Sequence, residues 1–107
     1  MYPTEEQIET IKKWNPADLH GLMEFIQKIW TFADWGWRQE DQIYYISTGG
    51  WSGNEEIIEA MRDNLIWWAF FWEQSKRGGH YIFATIKDSL HMRGVDVKVN
   101  PEDKKVV

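Results

Sequence analysis

With 107 residues and a formal net charge of −5, the chain suffices for one domain around one core and is too acidic overall to grip a nucleic-acid polymer. Its cations come in scattered pairs, Lys12-Lys13, Lys76-Arg77 and Lys104-Lys105, not as the concentrated basic surface that long DNA or RNA requires. Without cysteine there is no disulfide framework or thiol chemistry, and the longest apolar run, Leu65 to Trp72, is far shorter than the ~20 residues of a membrane span.

Thr4-Glu5-Glu6-Gln7 fits a capping box, with Thr4 as N-cap and Gln7 three residues on, and predicts a short helix over about 5–14. This N-terminus lacks the basic and apolar stretches of a secretory signal, so a cytoplasmic protein is expected. Asn15-Pro16-Ala17-Asp18 predicts a second helix start, with Asn15 capping and Pro16 in the first turn. Leu19, Leu22, Met23, Ile26, Ile29, Trp30 and Ala33 then recur at three-four spacing, an amphipathic stripe that Gly36 is expected to end.

Trp35 to Gln39 and Gln42 to Thr48 read as two strands turning at Glu40-Asp41, the second with Ile43, Tyr45 and Ser47 on one face and Tyr44, Ile46 and Thr48 on the other. From Gly53 or Asn54 to about Lys76 the pattern is helical, with Ile57, Met61, Leu65, Trp68 and Trp72 on one stripe. Its second half is apolar all round and must be enclosed by other elements or by a second subunit. Lys76-Arg77 suit a helix C-terminus and Gly78-Gly79 end it. His80 to Ile86 is another strand, and Val95 to Val99 alternates like an edge strand.

The order predicts an α+β fold: a small, mainly antiparallel sheet of three or four strands packed against two or three helices, one of them long. A single domain over 1–107 is expected, with a helical part at 1–34, a strand-strand-helix-strand core at 35–87, and a short strand and polar tail at 88–107.

Between strand and long helix lies Ser47-Thr48-Gly49-Gly50-Trp51-Ser52-Gly53-Asn54-Glu55-Glu56. A strand that ends in a glycine loop and opens onto a helix N-terminus presents backbone N–H groups to a small polar ligand. Thr48, Gly49, Gly50, Trp51, Ser52, Gly53 and Asn54 are therefore candidate ligand-binding residues. Two features oppose this reading. Ser52 with Glu55 fits a second capping box, and the carboxylates of Glu55 and Glu56 repel an anion. Trp51 either plugs the core or stacks on a flat ligand. The run has neither the P-loop's Gly-Lys-Ser/Thr nor the dinucleotide fingerprint.

Eight tryptophans, four tyrosines and five phenylalanines exceed what a small core needs, since each buries roughly 150–250 Å². Some are expected at a pocket or interface, Tyr44 and Trp37 among them, with Arg38 as a nearby cation. Arg77-Gly78-Gly79-His80-Tyr81 forms a second constellation. A 20-residue helix spans about 30 Å, so this loop and the glycine loop are expected to meet only across an oligomer. Arg77 and His80 would then complete the site from a neighbouring copy.

Covalent and metal chemistry find little support. His20, His80 and His91 lack ligand spacing, and Gly50-Trp51-Ser52-Gly53 is out of register for a nucleophile turn. No catalytic residue, metal or cofactor is expected. Glu55 with His80 is the one acid–base pair worth testing.

The pattern Trp35-Gly36-Trp37, then Tyr44-Tyr45-Ile46-Ser47-Thr48-Gly49-Gly50-Trp51-Ser52-Gly53-Asn54-Glu55-Glu56, then Arg77-Gly78-Gly79-His80-Tyr81-Ile82-Phe83 resembles small uncharacterised proteins encoded by bacteriophages and prophages. The resemblance covers roughly residues 35–86. It implies a setting in the cytoplasm of a bacterial host, where small phage proteins bind a host component or sequester a signalling molecule of antiviral defence. Three readings follow: a non-catalytic, homo-oligomeric sponge for a small polar, nucleotide-derived ligand; an interaction module that inhibits a host protein; and a small hydrolase or lyase using Glu55 and His80.

Overall fold

A computed structural model describes residues 2–85. Among them are five helices and a four-stranded antiparallel sheet, the α+β architecture that the order of elements predicts. The helices are α1 (Glu5–Lys12), α2 (Leu19–Gln27), α3 (Ala33–Gly36), α4 (Ser52–Asp63) and α5 (Leu65–Phe71). The strands are β1 (Trp37–Glu40), β2 (Ile43–Ser47), β3 (Trp72–Lys76) and β4 (His80–Phe83), in the order β1-β2-β4-β3. The expected strand at Val95–Val99 and the histidine at 91 lie outside the described residues.

α1 begins with the capping box: Thr4 Oγ1 accepts from the Gln7 amide at 3.0 Å, and Gln7 Oε1 accepts from the Thr4 amide at 2.9 Å. α2 starts three residues later than Asn15-Pro16 suggests. Asn15 Oδ1 instead accepts from the Ala17 amide, making a local turn, and the cap is Asp18, whose carboxylate accepts from the Gly21 amide and the Trp14 indole. The α2 stripe is core as expected, with Leu19, Leu22, Met23 and Ile26 buried, but the helix stops at Gln27. Trp30 reaches the core from the following turn, and its indole N–H donates to the Ser47 carbonyl.

The long helix expected up to Lys76 is not formed. It breaks at Asn64 (φ −83, ψ 80), resumes as α5, and gives way to β3 at Trp72. Tertiary contacts account for the break. The buried Asn64 side-chain amide donates to the carbonyls of Ile11 (3.1 Å) and Trp14 (3.0 Å), tying the C-terminal end of α1 and the turn after it to the start of α5. Leaving helical dihedrals there also rotates the next turn. Trp67 enters the core completely and donates from its indole to the Asp18 carbonyl, whereas Leu65 is 73% exposed.

β3 then pairs with β4, with a bulge between Trp72 and Gln74 that leaves Glu73 buried. Gly78 (φ 89) and Gly79 (φ 80) therefore turn a β-hairpin and do not cap a helix. The core lies between the helices and one sheet face, where Trp37, Tyr44, Ile46, Tyr81 and Phe83 meet the buried faces of α2, α4 and α5.

Candidate functional site

The strand-for-helix exchange at Trp72 brings together two loops that the sequence places at opposite ends of a helix. β2 and β4 are paired with Ser47 opposite His80, and the next residue, Thr48, donates from its amide to the Gly79 carbonyl at 3.0 Å. The glycine loop and the Arg77–Gly79 turn are thus neighbours within one chain, which corrects the expectation that they meet only across copies.

The glycine loop is chiefly a joint. The Gly50 amide donates to Thr48 Oγ1 (3.3 Å) and the Trp51 amide to the Thr48 carbonyl (3.1 Å). Asn54, fully buried, accepts from the Thr31 amide and donates to the carbonyls of Thr31 and Thr48. Amides expected to face a ligand at Gly50 and Trp51 are therefore used internally. The expected Ser52–Glu55 capping box is absent as well, because Trp51 is the N-cap and no side chain caps α4. The Ser52 hydroxyl lies 2.6 Å from that of Tyr2, Thr48 donates to Glu55 Oε2 at 3.5 Å, and Gly53 is buried. Trp51 is half-buried with its ring against Tyr2, centroids 5.3 Å apart.

A cleft of about 390 Å³ opens beside this joint, on the sheet face turned away from the helices. Strand alternation puts Arg38, Tyr45, Ser47 and His80 along it, Lys76 joins from β3, and Trp35 from α3 flanks it. Arg38 lies 4.0 Å above the centre of the Tyr45 ring and also pairs with Glu40. Ser47 Oγ lies 2.6 Å from His80 Nδ1. Trp35 is 63% exposed and stacked on Phe32, and a Cβ on Gly49 would come within 2.7 Å of its ring. Gly49 (φ 65) thus supplies both the left-handed turn and room for the indole.

Of the predicted residues, Arg38 and His80 line this cleft; Thr48 to Asn54 are not among its lining residues, and of these Gly49 packs against the lining residue Trp35. Arg77 is exposed in the turn and is not among the lining residues, where the neighbouring Lys76 takes its place. Tyr44 is on the other face. It is buried against Trp37 and His20, with its hydroxyl 2.6 Å from His20 Nδ1. Burial, then the charges of Glu24 and Asp18, push its hydroxyl above the ordinary tyrosine range. The cleft is lined by Tyr45 and not by Tyr44, and by Trp35, Ser47 and Lys76, which the sequence does not single out as ligand contacts. The strand alternation already separated the two tyrosines, but which face is covered by helices depends on the fold.

Glu55 and His80, the acid–base pair worth testing, have different partners: Glu55 accepts from the Thr48 hydroxyl, and the His80 ring meets the Ser47 hydroxyl. Among the described residues no group of three or more His, Asp or Glu side chains is placed to hold a metal ion, and no helix is long and apolar enough to cross a membrane. No protein-family model, curated protein or solved structure matches the chain.

Proposed function

We propose that this protein is a non-catalytic receptor for a small anionic ligand bearing a flat ring, of the nucleotide-derived class, held in the cleft between Trp35, Arg38, Tyr45, Lys76 and His80. One observation carries the reading: an acidic chain gathers two cationic side chains and an imidazole with two aromatic side chains in a cleft that, among the described residues, no carboxylate lines. Glu40, outside the lining, pairs with Arg38, so a bound anion competes with this carboxylate for the guanidinium. Ligand pockets hold roughly 300–1,000 Å³, so a cleft of about 390 Å³ suits a ligand of mononucleotide size. Arg38 and Lys76 supply charge, Ser47 and His80 supply hydrogen bonds, and Trp35 and Tyr45 supply stacking surfaces. In the phage setting that the resemblance implies, such a receptor sequesters a signalling nucleotide of host defence.

Titration with cyclic and NAD-derived nucleotides, read by tryptophan fluorescence and thermal shift, tests this. A saturable quench that Trp35→Ala abolishes, with affinity falling at least tenfold in Arg38→Ala and Lys76→Ala, is the expected result. No shift at millimolar ligand rejects the proposal.

The interaction-module reading has its own support. Leu65, Ile66 and Phe70 are exposed together on α5, and no charged residue lies between Leu65 and Trp72. Exposed apolar surface of this kind marks protein contacts, including contacts with a second copy. Sedimentation velocity of the wild type and Phe70→Glu distinguishes self-association from a monomer.

A further inference from the structure

We infer that a second ligand site, for a small amine, lies on the helix side of the same two strands, between α2 and the β1–β2 hairpin. A cavity of about 410 Å³ is lined there by His20, Glu24, Gln27, Gln39, Gln42 and Tyr44. Its walls follow from two periodicities. His20, Glu24 and Gln27 recur at four- and three-residue spacing on α2, on the flank of the buried stripe of Leu19, Leu22, Met23 and Ile26. Gln39 of β1 is paired with Tyr44 of β2, one register step from the Arg38–Tyr45 pair and on the other face.

A polar stripe on a surface helix ordinarily faces open water. Here the end of the hairpin stands across from it and makes the surface concave, and the buried Tyr44, tied to His20, forms the floor. Among the described residues, three carboxamides, an imidazole, a phenol and one carboxylate line the space, with no lysine or arginine. An ammonium group has only donors, and this lining offers acceptors in the Glu24 carboxylate and the glutamine carbonyls. The local field has the same sign, since the charges of Glu24 and Asp18 both act on the Tyr44 hydroxyl. Anions meet no lysine or arginine among the described lining residues. One pair of strands therefore carries two sites of opposite electrostatic character back to back, and the inner site stands whether or not the outer one binds nucleotides.

The test is an amide NMR titration of the full chain with putrescine at constant ionic strength, with inorganic phosphate as the second arm. Saturable shifts centred on His20, Gly21, Glu24, Gln39 and Gln42 are expected for putrescine and none for phosphate. Glu24→Gln, an isosteric change at an exposed position, should keep the dispersed spectrum and weaken putrescine at least tenfold. Shifts that never saturate, that scatter over all acidic side chains, that appear equally with phosphate, or that persist undiminished in Glu24→Gln overturn the proposal.

Discussion

The carbonyl of Gly79 accepts a 3.0 Å hydrogen bond from the amide of Thr48, and this contact fastens the β3–β4 turn to the glycine loop after β2. The approach is so close that a Cβ on Gly79 would lie 2.3 Å from Thr48 Oγ1, whereas a Cβ on Gly50 would meet nothing within 4 Å. Both glycines have positive φ. Gly50→Ala should therefore cost only the left-handed strain, about 1–2 kcal/mol. Gly79→Ala adds steric displacement and should cost about 1–3 kcal/mol more. Urea denaturation of the two variants measures the gap, and equal losses would deny the close approach.

Asn54 serves three backbone groups, the amide and carbonyl of Thr31 and the carbonyl of Thr48, from a fully buried position. Each buried group left without a partner costs about 1–3 kcal/mol. Asn54→Ala should lower stability by about 3 kcal/mol or more. Asn54→Asp should be similarly damaging, because a carboxylate has no donor for the two carbonyls. Retention of the wild-type unfolding midpoint in either variant would show that the clamp contributes nothing.

The phase reset at Asn64 predicts opposite outcomes for two neighbouring apolar residues. Trp67 is entirely buried against Phe71 and Phe83, so Trp67→Ala should cost about 3–5 kcal/mol. Leu65 is largely exposed, and Leu65→Ala should change stability by about 0.5 kcal/mol or less. A continuous helix would bury Leu65 on the stripe of Ile57 and Met61, so thermal denaturation of this pair separates the two geometries.

Asp18 sets the acid limit. The Trp14 indole N–H, then the Gly21 amide and the charge of His20, hold its carboxyl below the ordinary aspartate range against an opposing burial effect. A depressed acid contributes stability above its unfolded pKa, about 3.9, and loses it as pH falls through the lower folded value. Melting temperature should accordingly decline below about pH 4 in the wild type. Asp18→Asn should start lower and show a shallower acid limb. Parallel profiles would assign the acid sensitivity to other carboxylates.

The elements that were legible in the sequence are those with self-contained chemistry. The Thr4–Gln7 box reads locally because donor and acceptor lie within one turn, and the alternation from Ile43 to Thr48 reads because strand faces follow from covalent geometry. The cleft is partly legible: Arg38 and His80 line it as charged or polar residues beside a glycine turn. That Tyr44 lies across the sheet from them, beside the α2 cavity, is not legible, because the two faces of β2 become unequal only when helices cover one of them.

Composition and periodicity by themselves determined the α+β class, the α2 core stripe and the strand pairing around Glu40-Asp41, since each depends on residues a few positions apart. Only the tertiary structure decided that the apolar run after Asp63 breaks, because the reason is a buried amide serving the carbonyls of Ile11 in α1 and of Trp14 just beyond it, across the molecule. The same long-range event turns Trp72–Lys76 into a strand and sets Gly79 against Thr48. A local propensity for helix yields there to hydrogen-bond partners that no window of sequence contains.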